Sequence, residues 1–380
     1  MDFNLSEDQV AIQDSLRRFL AKDYGFEQRR VIAKSAEGYS PAAWATYAEL
    51  GLLALPFSEE NGGLGGGAVD TMIILETLGA NLALEPYIPT VVLGGSLLAD
   101  IGSPAQRDKL LAGVTDGSVL LALAHQEPGA RYNTRHVATT AKADGGGYVL
   151  NGHKAVVLGA AAANKLLVSA RTSGANTDAD GISLFVVDAG TAGLTLRSYP
   201  NQDDQRAAEV LLANVKVGAD ALVGTVGQAL PAIERALDRA NAALCGEAVG
   251  IMTALNAATL DYLKQRKQFG VPIGKFQALQ HRMADMAIAT EQARSMAILA
   301  AINADSTDAA ERSRTVSAAK AYIGQSARTV GQGAVQLHGG MGVTDELIVA
   351  HYFKRLTTIT ATFGDVDHHM ARFSDSLLVA

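Results

Sequence analysis

The sequence predicts a mainly helical protein with a β domain in its middle. Three observations lead there. Residues 1 to about 115, and everything from Val226 onward, carry apolar side chains at helical spacing. The stretch from about 118 to 217 is instead a series of short apolar and β-branched runs, separated by turn residues at a spacing near ten. Strand–helix alternation is missing, which disfavours a doubly wound parallel sheet. A chain of 380 residues, 48% apolar and 19% charged, is globular and long enough for two or three cores. The divisions fall at 1–117 (N-terminal helices), 118–220 (β domain, a small barrel or sandwich) and 221–380 (C-terminal helical bundle).

The elements follow in order. Ser6-Glu7-Asp8-Gln9 is a capping pattern, and Val10, Ile12, Leu16, Phe19 and Leu20 continue it at helical spacing. Pro41 opens a second helix through Trp44, Tyr47 and Leu50. Asp70 to Leu78 forms a third, and Pro104 with Gln106 to Leu111 starts a fourth. Val119 to Ala124 begins the strands. Asp144-Gly145-Gly146-Gly147 has the composition of a hairpin turn. Strands at Leu166–Ser169, Ile182–Val187, Leu194–Leu196 and Val210–Leu212 follow. An Ala-rich helix then runs from Leu230 to Lys267, with further helices at Phe276–Asn303 and Asp308–Leu337.

Several function classes are excluded. Thirty-two basic against 39 acidic residues give a net charge of -7, which leaves no nucleic-acid footprint. One cysteine, Cys245, permits neither a disulfide framework nor a Cys-based metal site. His368-His369 lacks the spacing of a zinc helix, so no metal is expected. The N-terminal residues show no basic-then-apolar leader. The longest charge-free run, Thr329 to Thr344, holds five glycines and is too short to span a bilayer. A soluble cytoplasmic protein without a membrane span is expected. The glycine cluster from Asn61 to Gly67 follows no strand and is a loop before a helix, not a dinucleotide fingerprint. Gly270-Val271-Pro272-Ile273-Gly274-Lys275 is one residue short of a phosphate loop and is followed by Phe276, where a Ser or Thr would hold magnesium. A Gly-x-Ser-x-Gly elbow is lacking, and Cys245 is mid-helix without a base beside it, so nucleophilic catalysis has no support.

Four segments, in order, resemble the acyl-CoA dehydrogenase family over nearly the whole chain. They are Glu127-Pro128-Gly129, Asn151-Gly152-His153-Lys154, Arg266-Lys267-Gln268-Phe269-Gly270 with its continuation to Gln277, and Gln336-Leu337-His338-Gly339-Gly340. The resemblance implies the same helical, β, helical-bundle order. It also implies FAD, an acyl-CoA substrate, an acceptor like an electron-transfer flavoprotein, and an oligomer. In the family a carboxylate removes the α-proton while the β-hydrogen leaves as hydride. By that resemblance Arg266, Gln268, Phe269, Gln277, Gln336, Gly339 and Gly340 hold the adenosine and pyrophosphate end of FAD across a subunit interface. Val156 and Leu158 stand at the flavin ring, and Asp238, Asn241 and Tyr132 at the substrate.

The departures from the family pattern carry as much as the matches. Its two base positions fall on Phe363 and Ala240, and neither bears a carboxylate. Glu247, Asp365 and Asp367 are the nearby alternatives for a displaced base, although a helix-interior Glu247 favours a buried structural hydrogen bond and Asp365 has the position of a cap for a helix beginning near Val366. Val156-Val157-Leu158 replaces the usual tryptophan–isoleucine–hydroxyl triplet. Asn241 stands in place of an arginine, and Ala130-Arg131-Tyr132-Asn133 in place of small residues. These details are most similar to the small subunits of pimeloyl-CoA dehydrogenases and to bacterial sterol-side-chain enzymes built from unlike subunits. They imply a subunit that completes a partner's FAD site in a heterotetramer. A self-sufficient homo-oligomeric dehydrogenase with a displaced base and a non-enzymatic binding scaffold are the alternatives.

Overall fold

A computed structural model describes residues 5–378, so the leader reading at Met1–Asn4 lies outside the described residues. The chain forms two compact units. One holds the chain up to Val31, Ala68–Ala83 and the chain from Asn241 on; the other holds Ile32–Gly67 and Leu84–Ala240.

The second unit contains the β domain, in the predicted place. Its strands are β1 (Leu121–Ala124), β2 (Thr140–Asp144), β3 (Gly147–Leu158), β4 (Lys165–Arg171), β5 (Ile182–Asp188), β6 (Leu194–Pro200), β7 (Arg206–Gly218) and β8 (Leu222–Val223). The sheet order is β6-β7-β3-β2-β4-β5-β8, with β1 parallel to β4. β2 and β3 form the predicted hairpin: Asp144 pairs with Gly147, and Gly145 and Gly146 both take positive φ, as a type I′ turn needs. Only Thr140 and Arg171 join β2 to β4. The two halves of the sheet therefore fold face to face and share one core. Leu150, Val157, Val210 and Leu212 from one half meet Ala122, Leu166, Val168 and Phe185 from the other. The Tyr148 and Phe185 rings lie 4.9 Å apart within it. β1 is buried on both faces, which explains its unbroken apolar run.

The first unit is helical. Ser6 and Gln9 form the capping box of helix Glu7–Asp23. Helix Ala68–Ala80 packs on the long helix Leu230–Gln265 at almost backbone contact. A Cβ on Gly250 would lie 1.9 Å from the Glu76 carbonyl oxygen, and one on Gly79 would lie 2.4 Å from that of Glu247. The isolated glycines of the long helix are thus packing residues. By length and composition this helix could cross a membrane, which the search for charge-free runs does not reveal; 67% of its most apolar window is buried in the protein. Helices Gln277–Ala304 and Ala309–His338 follow, the latter capped by Asp308, whose Oδ1 accepts from the Ala310 and Glu311 amides at 2.9 and 3.1 Å.

Two corrections belong here. The long helix stops at Gln265, not Lys267, because Lys267-Gln268 turns into a small hairpin. Helix Ile348–Ala361 is an addition: Val349, Tyr352, Leu356 and Ile359 recur at helical spacing and are buried, although Thr357, Thr358 and Thr360 have low helix propensity. Thr357 and Thr358 donate to the Phe353 and Lys354 carbonyls one turn back, at 2.8 and 3.1 Å, which fits them to the helix.

Candidate functional site

At the end of the long helix, Lys267-Gln268 pairs with Val271-Pro272 across a turn at Phe269 (φ 55) and Gly270 (φ 80). The Ile273 amide donates to the Arg266 carbonyl at 2.8 Å and closes the loop. Phe269 is 90% exposed and meets only the edge of Phe276, at 6.1 Å. One turn before Arg266, Tyr262 stacks on His338 at 4.4 Å, and its hydroxyl donates to the His338 carbonyl at 3.4 Å. The segments around Arg266 and Gln336 are therefore neighbours, although 70 residues separate them in sequence. Arg266, Gln268, Phe269, Gln277, Gln336, Gly339 and Gly340 all face solvent. A Cβ on Gly339 or Gly340 would meet nothing within 4 Å. A guanidinium, amide side chains and open glycine backbone suit a pyrophosphate, so this donor set fits the phosphate end of FAD.

In the β unit the structure links two signature segments by a buried ion pair. Lys154 Nζ lies 2.6 Å from Glu127 Oε1, and also donates to Ser169 Oγ at 3.0 Å and the His125 carbonyl at 3.2 Å. Glu127 in turn accepts from the Ala138 and Thr139 amides, at 2.6 and 3.0 Å. Burial lowers the Lys154 ammonium to about 8, with Glu127 opposing the shift. Glu127 is pushed up by burial, yet Lys154 and its donors hold it below the usual carboxylate range. These groups brace the entry loop against β3.

Beyond Lys154 the β3–β7 register slips, and Val156 sits at the bulge with φ 53. Its amide donates to Glu209 Oε1 at 3.3 Å. Glu209 also holds the His153 ring at 2.6 Å and the Tyr199 hydroxyl at 3.1 Å. Val156 is half exposed and Leu158 partly so, and neither supplies a hydroxyl. Tyr132 lies partly buried in a loop whose neighbour Arg131 has φ 49. Arg171 ties that loop down by donating to the carbonyls of Arg135, Val137, Asn176, Asp178 and Asp180.

The base candidates separate clearly. Phe363 occupies a left-handed turn, and Ala240 is fully buried in the long helix beside buried Asp238 and Asn241. The Asn241 Oδ1 has no hydrogen-bond partner among the described residues. Glu247 is locked to Arg355 by two bonds, Oε1 to Nε at 2.6 Å and Oε2 to Nη2 at 2.7 Å, with both side chains buried. Both oxygens of that carboxylate are thus engaged by one guanidinium. Asp365 Oδ1 accepts the His368 amide at 2.8 Å and so caps helix Val366–Leu378. Asp367 is exposed in the first turn of that helix. Sequence reasoning found Glu247 but missed Arg355, since a partner 108 residues away leaves no spacing signal. No group of three metal-ligating side chains occurs among the described residues.

Family models cover the chain almost end to end: acyl-CoA dehydrogenase N-terminal domain over residues 6–118, middle domain over 122–215 and C-terminal domain over 227–378. The chain belongs to the acyl-CoA dehydrogenase family. It is 32% identical over 352 residues to the probable acyl-CoA dehydrogenase YngJ of Bacillus subtilis, covering 91% of each. It superposes on butyryl-CoA dehydrogenase of Megasphaera elsdenii with a TM-score of 0.91 at 26% identity, covering 100% of both chains. It also matches a variant of the Tcur3481-Tcur3483 steroid ACAD, with a TM-score of 0.88, 30% identity and 98% of each chain covered. Acyl-CoA dehydrogenases are FAD-dependent oxidoreductases, and solved structures similar to this chain include FAD complexes.

Two buried histidines give the chain a pH signature. Burial, then Lys154, lowers His125 to about 3. Burial, then Lys320 and His368, lowers His369 to about 2. Both remain neutral in the folded chain while the unfolded chain takes up protons below the ordinary 6.5. Their contribution is therefore complete above pH 6.5 and is lost as pH falls towards 3, by about 1.4 kcal/mol per pH unit for each histidine. Urea midpoints at pH 7.5 and 5.5 check this; equal midpoints would contradict it.

Proposed function

We propose that this chain is the non-catalytic subunit of a heteromeric acyl-CoA dehydrogenase, completing the FAD site of a glutamate-bearing partner. The observation that carries the reading is the contrast between two sets of residues. The exposed set Arg266, Gln268, Gln336, Gly339 and Gly340 keeps donors and space for a pyrophosphate. The chain's own base positions hold Phe363 and Ala240, while Glu247 is engaged by Arg355. Val156 and Leu158 present no hydroxyl where the family sets one. The likeness to the Tcur3481-Tcur3483 steroid ACAD, named for two components, supports the unlike-subunit arrangement.

When bound, FAD accepts the β-hydrogen as hydride. The residues of this chain bind and orient. Arg266 supplies a fixed cation to the pyrophosphate, and Gln268 and Gln336 supply amide donors. Asp238, Asn241 and Tyr132 would face an acyl-CoA, whose acyl group in this reading is dicarboxylic or sterol-derived. Electrons pass on to an acceptor like an electron-transfer flavoprotein, in the cytoplasm. Arg266→Ala should remove a charge-assisted contact worth on the order of 1.5–3 kcal/mol of FAD affinity. FAD retained by the assembled oligomer, titrated by flavin fluorescence, is the measurement; unchanged retention would contradict the assignment.

The test of the reading as a whole is co-expression with a homologous subunit that bears the glutamate. A stable mixed oligomer that oxidises dicarboxylic or sterol-derived acyl-CoAs, formed from a chain inert by itself, is the expected result. Ordinary turnover by the chain alone would overturn it and return attention to Asp365 and Asp367.

A further inference from the structure

Lys320 is 2% exposed in helix Ala309–His338, and its ammonium makes three hydrogen bonds, all to one turn. Nζ donates to the carbonyls of Ile359 at 3.0 Å, Thr362 at 2.9 Å and Gly364 at 3.0 Å. These are carbonyls at and just beyond the end of helix Ile348–Ala361, and that of Ile359 also accepts the Thr362 amide at 3.3 Å. The same turn contains Phe363 at φ 55 and Gly364 at φ 129. A bulky residue in the left-handed region is strained and persists only where its surroundings over-determine it. His369 walls the other side: a Cβ on Gly364 would come within 2.4 Å of its Nε2. Its Nδ1 is held at 3.3 Å by Ser317 Oγ, on the helix that carries Lys320. Asp365 then caps the next helix through the His368 amide.

We infer that Lys320 is a positioning residue, which clamps the backbone of the Thr362–Gly364 turn so that the side chain at position 363 is presented at one fixed place. The inference rests on the proposed reading of position 363 as the place of the family's base. It goes further by assigning the support of that place to a residue some forty positions earlier, on another helix. An ammonium has three N–H bonds and the turn offers three carbonyls, so no other uncharged or shorter side chain satisfies all of them. The turn is thus preserved as a mount even though it carries Phe363. A carboxylate put on it would be aimed as a base is aimed, without rebuilding the backbone.

Two measurements test this. The first is hydrogen exchange in the full chain carrying Lys320→Met. Exchange should rise about tenfold or more in peptides spanning residues 359–365, with other helices unchanged, since three buried carbonyls lose their donor. Lys320→Gln, which keeps two N–H bonds on a slightly shorter side chain, should give an intermediate rise. Unchanged exchange at the turn, or a uniform rise and loss of fold in both variants, would overturn the clamp. The second uses Phe363→Glu and follows deuterium exchange at the α-carbon of an acyl-CoA in D2O, a proton transfer that needs no hydride acceptor. Phe363→Glu should accelerate that exchange by at least about 10²-fold, and adding Lys320→Met should abolish the gain. Retention of the gain in the double variant would defeat the positioning role. No gain from Phe363→Glu, with a turn that still loosens in Lys320→Met, would instead sink the reading of position 363 and leave the clamp standing.

Discussion

The pure chain, loaded with FAD, is expected to turn over acyl-CoA roughly 10² to 10⁴ times more slowly than the same chain assembled with a glutamate-bearing subunit. The magnitude is that of a missing general base. Abstraction of an α-proton needs a carboxylate close to the carbon and shielded from water, and its absence cannot be made up by binding energy alone. Phe363 has no group that accepts a proton, and Ala240 none either. Glu247 is engaged on both oxygens by Arg355. Mixing should restore activity, because the Arg266 and Gln336 side chains are exposed. Flavin bleaching on addition of straight, dicarboxylic and bulky acyl-CoAs is the assay. Equal rates before and after mixing would rule the dependence out.

The second large effect concerns stability. Arg355→Ala should destabilise the helical unit by about 3–5 kcal/mol, the usual cost of stranding a buried partner charge. Glu247 would be left buried beside Gly79 with both oxygens stripped of their donors. Replacing both residues by apolar ones of similar volume, Glu247→Leu with Arg355→Met, should recover most of the loss. A urea or guanidinium midpoint series on the three proteins settles it. An Arg355→Ala midpoint within error of the parent would show that the pair contributes little.

Much of this was legible from residues alone, for reasons that differ by element. The β domain announced itself through short runs such as Ile182–Val187 and through Gly145-Gly146, whose conformation only a hairpin turn of that type requires. The long Ala-rich helix was plain, but its end was not: Lys267-Gln268 has no strand propensity, and Phe269 in a left-handed turn runs against its own preference. Helix Ile348–Ala361 carries a legible apolar stripe of Val349, Tyr352, Leu356 and Ile359, weakened only by the low propensity of its threonines. The family segments could be read in sequence, whereas the Lys154–Glu127 pair joining two of them required the fold. Lys320 and Arg355 gave no signal at all. A buried cation looks in sequence like any surface lysine or arginine, and only the carbonyls or carboxylate brought to it by packing give it a purpose.

Cys245, the lone cysteine of the chain, sits fully buried in the long helix, and burial pushes its thiol up to about 12. At neutral pH it is neither a thiolate nor within reach of a reagent. A mixed oligomer treated with a maleimide or a disulfide exchanger would therefore be labelled through the other subunit alone. This protein would behave in such thiol-directed experiments as a silent scaffold, against which every labelled thiol can be assigned to its companion.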